Sequence, residues 1–168
     1  MKSMIKSLIK GILILPGTVA VFIPALILYL AYIFSGNAIV ISENIFLLIV
    51  SICFFVIGFL LAGWTTLLFY RIGNGTLAPW DPPKILVIKG PYQYVRNPMI
   101  VGMFCILLGE TVLFFSVSLF LWVIIFFIAN EVYIPFVEEK ALLKRFEKDY
   151  DLYTKHVRRW IPRLTPWK

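Results

Sequence analysis

PMIVGMFCILLGETVLFFSVSLFLWVIIFFIANEVYIPFV, residues 98–137, is an apolar run broken by only two charged side chains, Glu110 and Glu131. As one straight helix it would be about 60 Å long, roughly twice the ~30 Å hydrocarbon thickness of a bilayer. It must fold back on itself, and Phe114-Phe115-Ser116-Val117-Ser118 is where the bend is expected. The result is a tight helical hairpin whose two arms are each near the minimum length of a span.

The rest of the chain has the same character. Of its 168 residues 61% are hydrophobic and 15% charged, with mean hydropathy +0.90. A soluble domain is nearer half apolar. Gly11–Phe34 and Ile45–Phe69 are two further apolar runs. The first follows Lys2, Lys6 and Lys10 as a signal peptide would, but it is long enough to span and no clear small-residue cleavage site follows it, so it reads as a retained first span. Pro16 and Pro24 within it predict kinks. Ser35-Gly36-Asn37 ends it. Gly58 and Gly63 in the second run suit close helix approach, and Trp64 and Tyr70 suit an interface. The fold class expected is therefore an all-α integral membrane protein: one domain over 1–168, with about four transmembrane helices. These are span 1 at 11–34, span 2 at 45–69 and a hairpin at 98–137, with a cytoplasmic loop at 70–97 and an amphipathic helix and tail at 138–168.

Charge placement orients this scheme. All 16 Lys and Arg residues fall in 1–10, 70–97 and 138–168, and none in the other two connections. The positive-inside rule puts both termini and the 70–97 loop on the cytoplasmic face. The net charge of +7 is read against anionic headgroups rather than nucleic acid, since the basic residues flank apolar spans and no nucleic-acid motif is present. Cys53 and Cys105 lie in apolar runs and read as small hydrophobes, and no metal-ligand cluster is apparent.

Three features bear polar chemistry in this setting. Gly90-Pro91-Tyr92-Gln93-Tyr94-Val95-Arg96-Asn97-Pro98 is a polar, aromatic island, preceded by Lys84-Ile85-Leu86-Val87-Ile88-Lys89 as a short extended or buried segment. Glu138-Glu139 stand where the last apolar run ends; successive helical residues are about 100° apart, so the two carboxylates face different ways. Glu110 and Glu131 are acids inside apolar sequence, where burial must be offset by a partner or a function. After them Glu139, Leu142, Phe146, Tyr150, Tyr153 and Val157 recur at helical spacing, opposite Lys140, Lys144, Lys148 and Lys155, an amphipathic helix expected to run onto the membrane surface. His156 and the Arg158-Arg159-Trp160 tail read as surface and interfacial residues.

The stretch Gly90-x-Tyr92-x-x-x-Arg96-Asn97-Pro98-x-Ile100-x-Gly102 resembles the G-x-Y-x-x-x-R-H-P-x-Y-x-G pattern of the isoprenylcysteine carboxyl methyltransferase family, which stands with the phospholipid N-methyltransferases. Gly75–Pro83 resembles that family's lead-in. Glu138-Glu139-x-x-Leu142-x-x-x-Phe146-x-x-x-Tyr150-x-x-Tyr153-x-x-x-Val157 is similar to its C-terminal signature, followed by Ile161-Pro162. The resemblance implies a membrane methyltransferase with an S-adenosylmethionine pocket roofed by cytoplasmic segments and open sideways to lipid. The acceptor would be lipidic or amphipathic, a carboxylate or an amine. Cofactor contacts would fall on Lys84, Ile85, Leu86, Val87, Tyr92, Asn97, Pro98, Met99, Ile100 and Glu138, with Arg96 and Glu139 near. The transfer implied is direct and in line, and no nucleophile, metal or triad is called for.

The chain departs from the pattern at three positions. Asn97 stands where histidine is usual, Ile100 where tyrosine is usual, and Ile134 where the prenylcysteine enzymes carry a substrate-contacting arginine. Two other classes share features of this arrangement: an NADPH-dependent membrane reductase of the sterol-reductase type, and a non-catalytic membrane protein that has kept the fold.

Overall fold

A computed structural model describes residues 10, 11, 14, 16–35, 41–75 and 82–167. The basic segment before residue 10, the break at Gly36-Asn37 and the lead-in at 76–81 lie outside them.

Every regular element among the described residues is helical. A π-turn at Thr18–Phe22 leads into α1 (Ile23–Ser35), followed by α2 (Ile45–Arg71), a 3-10 turn (Gly90–Gln93), α3 (Pro98–Leu113) and α4 (Val117–Tyr133). A second π-turn, Ile134–Glu138, joins α4 to α5 (Glu139–His156). Both π-turns sit beside a proline. Pro24 follows the first and Pro135 lies in the second. A proline withholds one N–H from the helical ladder, and a wider turn accommodates the loss without ending the helix. The kink expected near Pro24 takes this form.

The hairpin turn falls at Phe114-Phe115-Ser116. Phe115 adopts φ 45°, and the Ser116 side chain accepts from the Leu119 N–H at 3.4 Å to start α4. The Ser42 N–H donates to the Leu113 carbonyl at 2.9 Å, so the connection before α2 closes over the same end of the bundle. Asn44 caps α2 by accepting from the Phe46 N–H at 2.9 Å.

The tightest contact is between α2 and α3. The buried residues of α2 are Ser51, Gly58 and Thr65, one every seven, and Gly102 and Gly109 of α3 repeat the same interval. Small residues at that spacing let two backbones approach along a shallow left-handed crossing. A Cβ at Gly58 would lie 2.6 Å from Ile106 Cγ1 and 2.8 Å from the Gly102 carbonyl oxygen. Ser51 Oγ donates to the Gly109 carbonyl at 2.9 Å across the seam. Gly63 is not part of it: nothing lies within 4 Å of where its Cβ would be. The helical phase decides this, since position 63 is five residues from Gly58 and faces away. Ala20, Met103 and Ile106 form the bundle core with Val19, Phe55 and Phe126 around them, and Trp122 Nε1 of α4 donates to the Val19 carbonyl at 3.3 Å.

Among the described residues two helices have the length and apolarity to cross a membrane, α2 and the continuous run Val117–His156; the apolar helices Thr18–Phe34 and Pro98–Leu113 are shorter. Only 11% of the most apolar window of α2 is buried inside the protein. Phe46, Phe59, Leu60 and Leu67 all stand exposed along it. A helix at the core of a soluble protein would be covered; this surface suits lipid. Cys53 and Cys105 are unpaired.

Part of the apolar face of α5 is covered within the protein. Tyr150, Tyr153 and Val157 are buried beneath Leu86 and Ile88 of the preceding loop and Trp167 of the tail. The face is used within the protein because a loop with its own apolar residues reaches it. α5 also breaks at Glu147, which adopts φ 42°.

Candidate functional site

The site is assembled at the basic end of the bundle from four pieces: the loop after α2, the start of α3, the exit of α4 and the C-terminal tail. The chain after α2 comes back to the end of that helix at Lys84, whose N–H donates to the Gly73 carbonyl at 2.7 Å. It then enters the 3-10 turn through Gly90, whose φ of 59° would strain a side chain and where a Cβ would lie only 3.0 Å from the Trp64 ring. The turn buries Pro91 and Tyr92. The Tyr92 ring stacks on Phe69 of α2 at 5.4 Å, and Tyr153 Oη of α5 donates to the Tyr92 carbonyl at 2.7 Å. Burial pushes the Tyr92 hydroxyl well above its ordinary range. One face of this ring is therefore already occupied by protein.

Asn97 leads into α3 with Pro98 at the first helical position, a placement where the missing N–H costs nothing. The side-chain amide nitrogen of Asn97 is buried without a partner among the described residues, and so is Nε of Arg96. A buried donor left unmade is costly, so both mark a place where a ligand group would be welcome. Met99 and Ile100 are half-buried in the first turn of α3.

The π-turn at the exit of α4 delivers the two acids in different directions, as their spacing requires. Glu139 is fully committed. Its Oε1 accepts from Arg96 Nη1 at 2.8 Å and from Arg159 Nε at 3.1 Å, and its Oε2 accepts from Arg159 Nη2 at 3.0 Å. The three side chains are 14–22% exposed, so the cluster is largely out of water. Glu138 is half-buried, and no described residue donates a hydrogen bond to it or pairs with it. Burial raises its carboxyl above the ordinary range, and the neighbouring charge of Glu139 raises it further. The acid pair thus divides into one structural carboxylate and one open carboxylate.

The tail holds this arrangement in place. The Arg96 N–H donates to the Arg158 carbonyl at 2.9 Å, the Arg163 N–H to the Tyr94 carbonyl at 2.9 Å, and the Trp167 N–H to the Gln93 carbonyl at 3.1 Å. Trp160 reaches back to the hairpin, where its ring meets Phe104 and Phe127 and its Nε1 donates to Glu131 Oε1. Arg159 Nη1 lies 3.5 Å from Glu131 Oε2. Glu131 is thereby a docking point for the tail. Glu110 stands at the far end of α3, with one carboxylate oxygen buried and unpartnered.

Lys84, Ile85 and Leu86 line an open cleft of about 450 Å³ with Ile88, Phe146, Asp149, Leu152 and Trp167. Val87 and Pro98 are packed in the interior. Arg96 and Glu139 are joined in the ion pair described above, with Asn97 and Glu138 as their chain neighbours. Ile134, at the position of the prenylcysteine enzymes' arginine, is 0% exposed. The sequence alone reads Arg159 and Trp160 as interfacial. Arg159 is twenty positions from Glu139, and no local periodicity links the two. His156, read as partnerless, stacks on Trp167 at 5.4 Å.

A family model described as phospholipid methyltransferase matches residues 46–149, more than half the chain. The match runs from the start of α2 into α5. No curated protein and no solved structure matches.

Proposed function

The chain belongs to the phospholipid methyltransferase family, and on that premise we propose that it is a multi-pass membrane enzyme that transfers a methyl group from S-adenosylmethionine to an amine on a lipidic acceptor. In this reading all four apolar helices cross or enter the bilayer, and both termini and the site face the cytoplasm. The observation that carries the proposal is the division of the acid pair: Glu139 spent on two arginines, Glu138 left open beside Tyr92.

The residues fit the donor. Glu138 suits its ammonium or ribose hydroxyls. The unpartnered Asn97 amide and the N-terminus of α3 suit its carboxylate, since helix N-termini favour anions. S-adenosylmethionine supplies an activated methyl on a sulfonium, so the chain's own task is to align the acceptor and exclude water. Asn97 does not titrate, and the chemistry does not need it to, because a neutral amine carries its own lone pair.

An amine is favoured over a carboxylate by charge. Arg96 and Arg159 are both paired with Glu139, and the position of the prenylcysteine enzymes' arginine is the buried Ile134. A carboxylate acceptor would meet an open acid, while both arginines of the cluster already answer Glu139. The test is calorimetric titration of the purified full chain with S-adenosylmethionine, S-adenosylhomocysteine and NADPH, followed by methyl-transfer assays on vesicles containing an aminophospholipid or a fatty acid. Binding of the first two ligands and methylation of the aminophospholipid are expected. Binding of NADPH alone would overturn the reading in favour of a reductase, and binding of none would favour a non-catalytic protein.

A further inference from the structure

Arg159 lies outside the matched family region and outside the motifs that carry the resemblance. Yet it makes the most extensive polar contact of any tail residue. It grips Glu139 through Nε at 3.1 Å and Nη2 at 3.0 Å, and extends Nη1 to Glu131 of α4 at 3.5 Å. The fork geometry of a guanidinium allows all three at once; an ammonium could not reproduce it.

Consider the charges gathered there. Glu138 and Glu139 stand at the end of the π-turn, Glu131 approaches from α4, Arg96 from the start of α3 and Arg159 from the tail, with Tyr92 and Tyr150 closing the sides. Three acids meet two arginines. With Arg159 removed, Arg96 alone would face all three, and Glu138 would stand beside a poorly balanced Glu139 in a half-buried site. Like charges at that separation in a poorly solvated setting cost far more than they would in water.

We infer that Arg159 is a positioning residue for the donor site: it balances Glu139 and Glu131 from the tail, so that Glu138 is left as the one open carboxylate facing the cationic end of the donor. This rests on the proposal that the site takes S-adenosylmethionine. It makes the tail part of the site rather than a membrane anchor. Arg159 touches no reacting atom. It acts through Glu139, and its removal should be repaired by removing the charge it balances.

That repair is the test. Full-length protein in lipid nanodiscs is titrated calorimetrically with S-adenosylhomocysteine, alongside R159Q, R159K, E139Q and the E139Q/R159Q double variant, and a thermal midpoint is recorded for each. Wild type should bind, and R159Q should bind about tenfold more weakly. R159K keeps the charge and should recover part of the loss. The double variant should return to within about threefold of wild type, because the unbalanced acid is gone. If Arg159 served only to hold the tail down, the double variant would bind as weakly as R159Q or worse, and the inference would be overturned. Unchanged binding by R159Q would overturn it as well. Failure of the wild-type protein to bind would instead overturn the donor assignment, and the inference with it.

Discussion

On the proposed assignment, Glu138 is a residue that is poor for stability and good for binding. Its folded-state carboxyl is raised by burial and by Glu139. The sign comes from linkage. A raised acid favours the folded state only while protonated, so ligand-free stability should fall as pH climbs from the ordinary carboxylate range through the raised value of Glu138. Glu138→Gln removes that term. At pH 8 the ligand-free variant should melt a few degrees above wild type, at about 2–4 °C per kcal/mol for a chain of this size. The same variant should lose affinity for S-adenosylmethionine by about tenfold, the loss of one charge-assisted contact. Differential scanning fluorimetry and calorimetry on one preparation read both effects, and a variant that loses stability and affinity together would deny Glu138 the role of ligand carboxylate. Tyr92→Ala should also weaken binding, but here the ring packs on Phe69, so a fall in the thermal midpoint should accompany the loss. The sequence made the adjacency of the two acids plain and required them to diverge. Which acid is open depended on Arg159, and no spacing rule connects that residue to them.

At the scale of elements, the seam between α2 and α3 is the most exacting contact in the molecule. Hydrophobicity does not specify it, because lipid solvates leucine as well as another helix does. Close approach of the backbones does, and that makes a sharp contrast between two glycines on one helix. Gly58→Ala places a methyl 2.8 Å from the Gly102 carbonyl oxygen, which cannot yield without moving a helix. The expected cost is about 1–3 kcal/mol, read as a lower thermal midpoint in nanodiscs. Gly63→Ala meets nothing within 4 Å and should be neutral or slightly stabilising through helix propensity. Equal effects of the two substitutions would mean that the seam lies elsewhere. Glycine content marked both positions in the sequence, and only helical phase separates them. The hairpin bend was legible for a simpler reason: an apolar run twice the bilayer thickness has to turn, and Ser116 can cap the helix after the turn. The covering of α5 was not legible, since an amphipathic face looks the same whether lipid or a loop lies over it.

At the scale of the whole molecule, the chain is organised by its two ends. One end holds the hairpin turn and the connection into α2, joined by the Ser42–Leu113 hydrogen bond. The other holds the loop, α5, the tail and the polar cluster. Within the described residues every Lys and Arg other than Lys10 belongs to this second end, at Arg71, Lys84, Lys89, Arg96 and throughout 140–163. Charge asymmetry of this kind orients a bilayer protein, because translocating lysine and arginine is disfavoured. The prediction is topological. In a C53S/C105S background, a cysteine placed at Asn44 should react with a membrane-impermeant maleimide applied to intact cells. A cysteine at Lys144 should react only after the cells are opened, since the proposed topology puts α5 on the inner side with the site. Both positions are exposed, so reactivity reports sidedness rather than burial. Labelling of both from outside, or of Lys144→Cys alone, would place the polar cluster on the far face and remove it from a cytoplasmic supply of S-adenosylmethionine. Labelling of neither until lysis would mean that the connection before α2 does not emerge, leaving α2 and α3 as a re-entrant pair. That outcome would be consistent with the sixteen-residue length of α3, about 24 Å at the helical rise, and would reduce the crossing helices below four while leaving the seam between them intact.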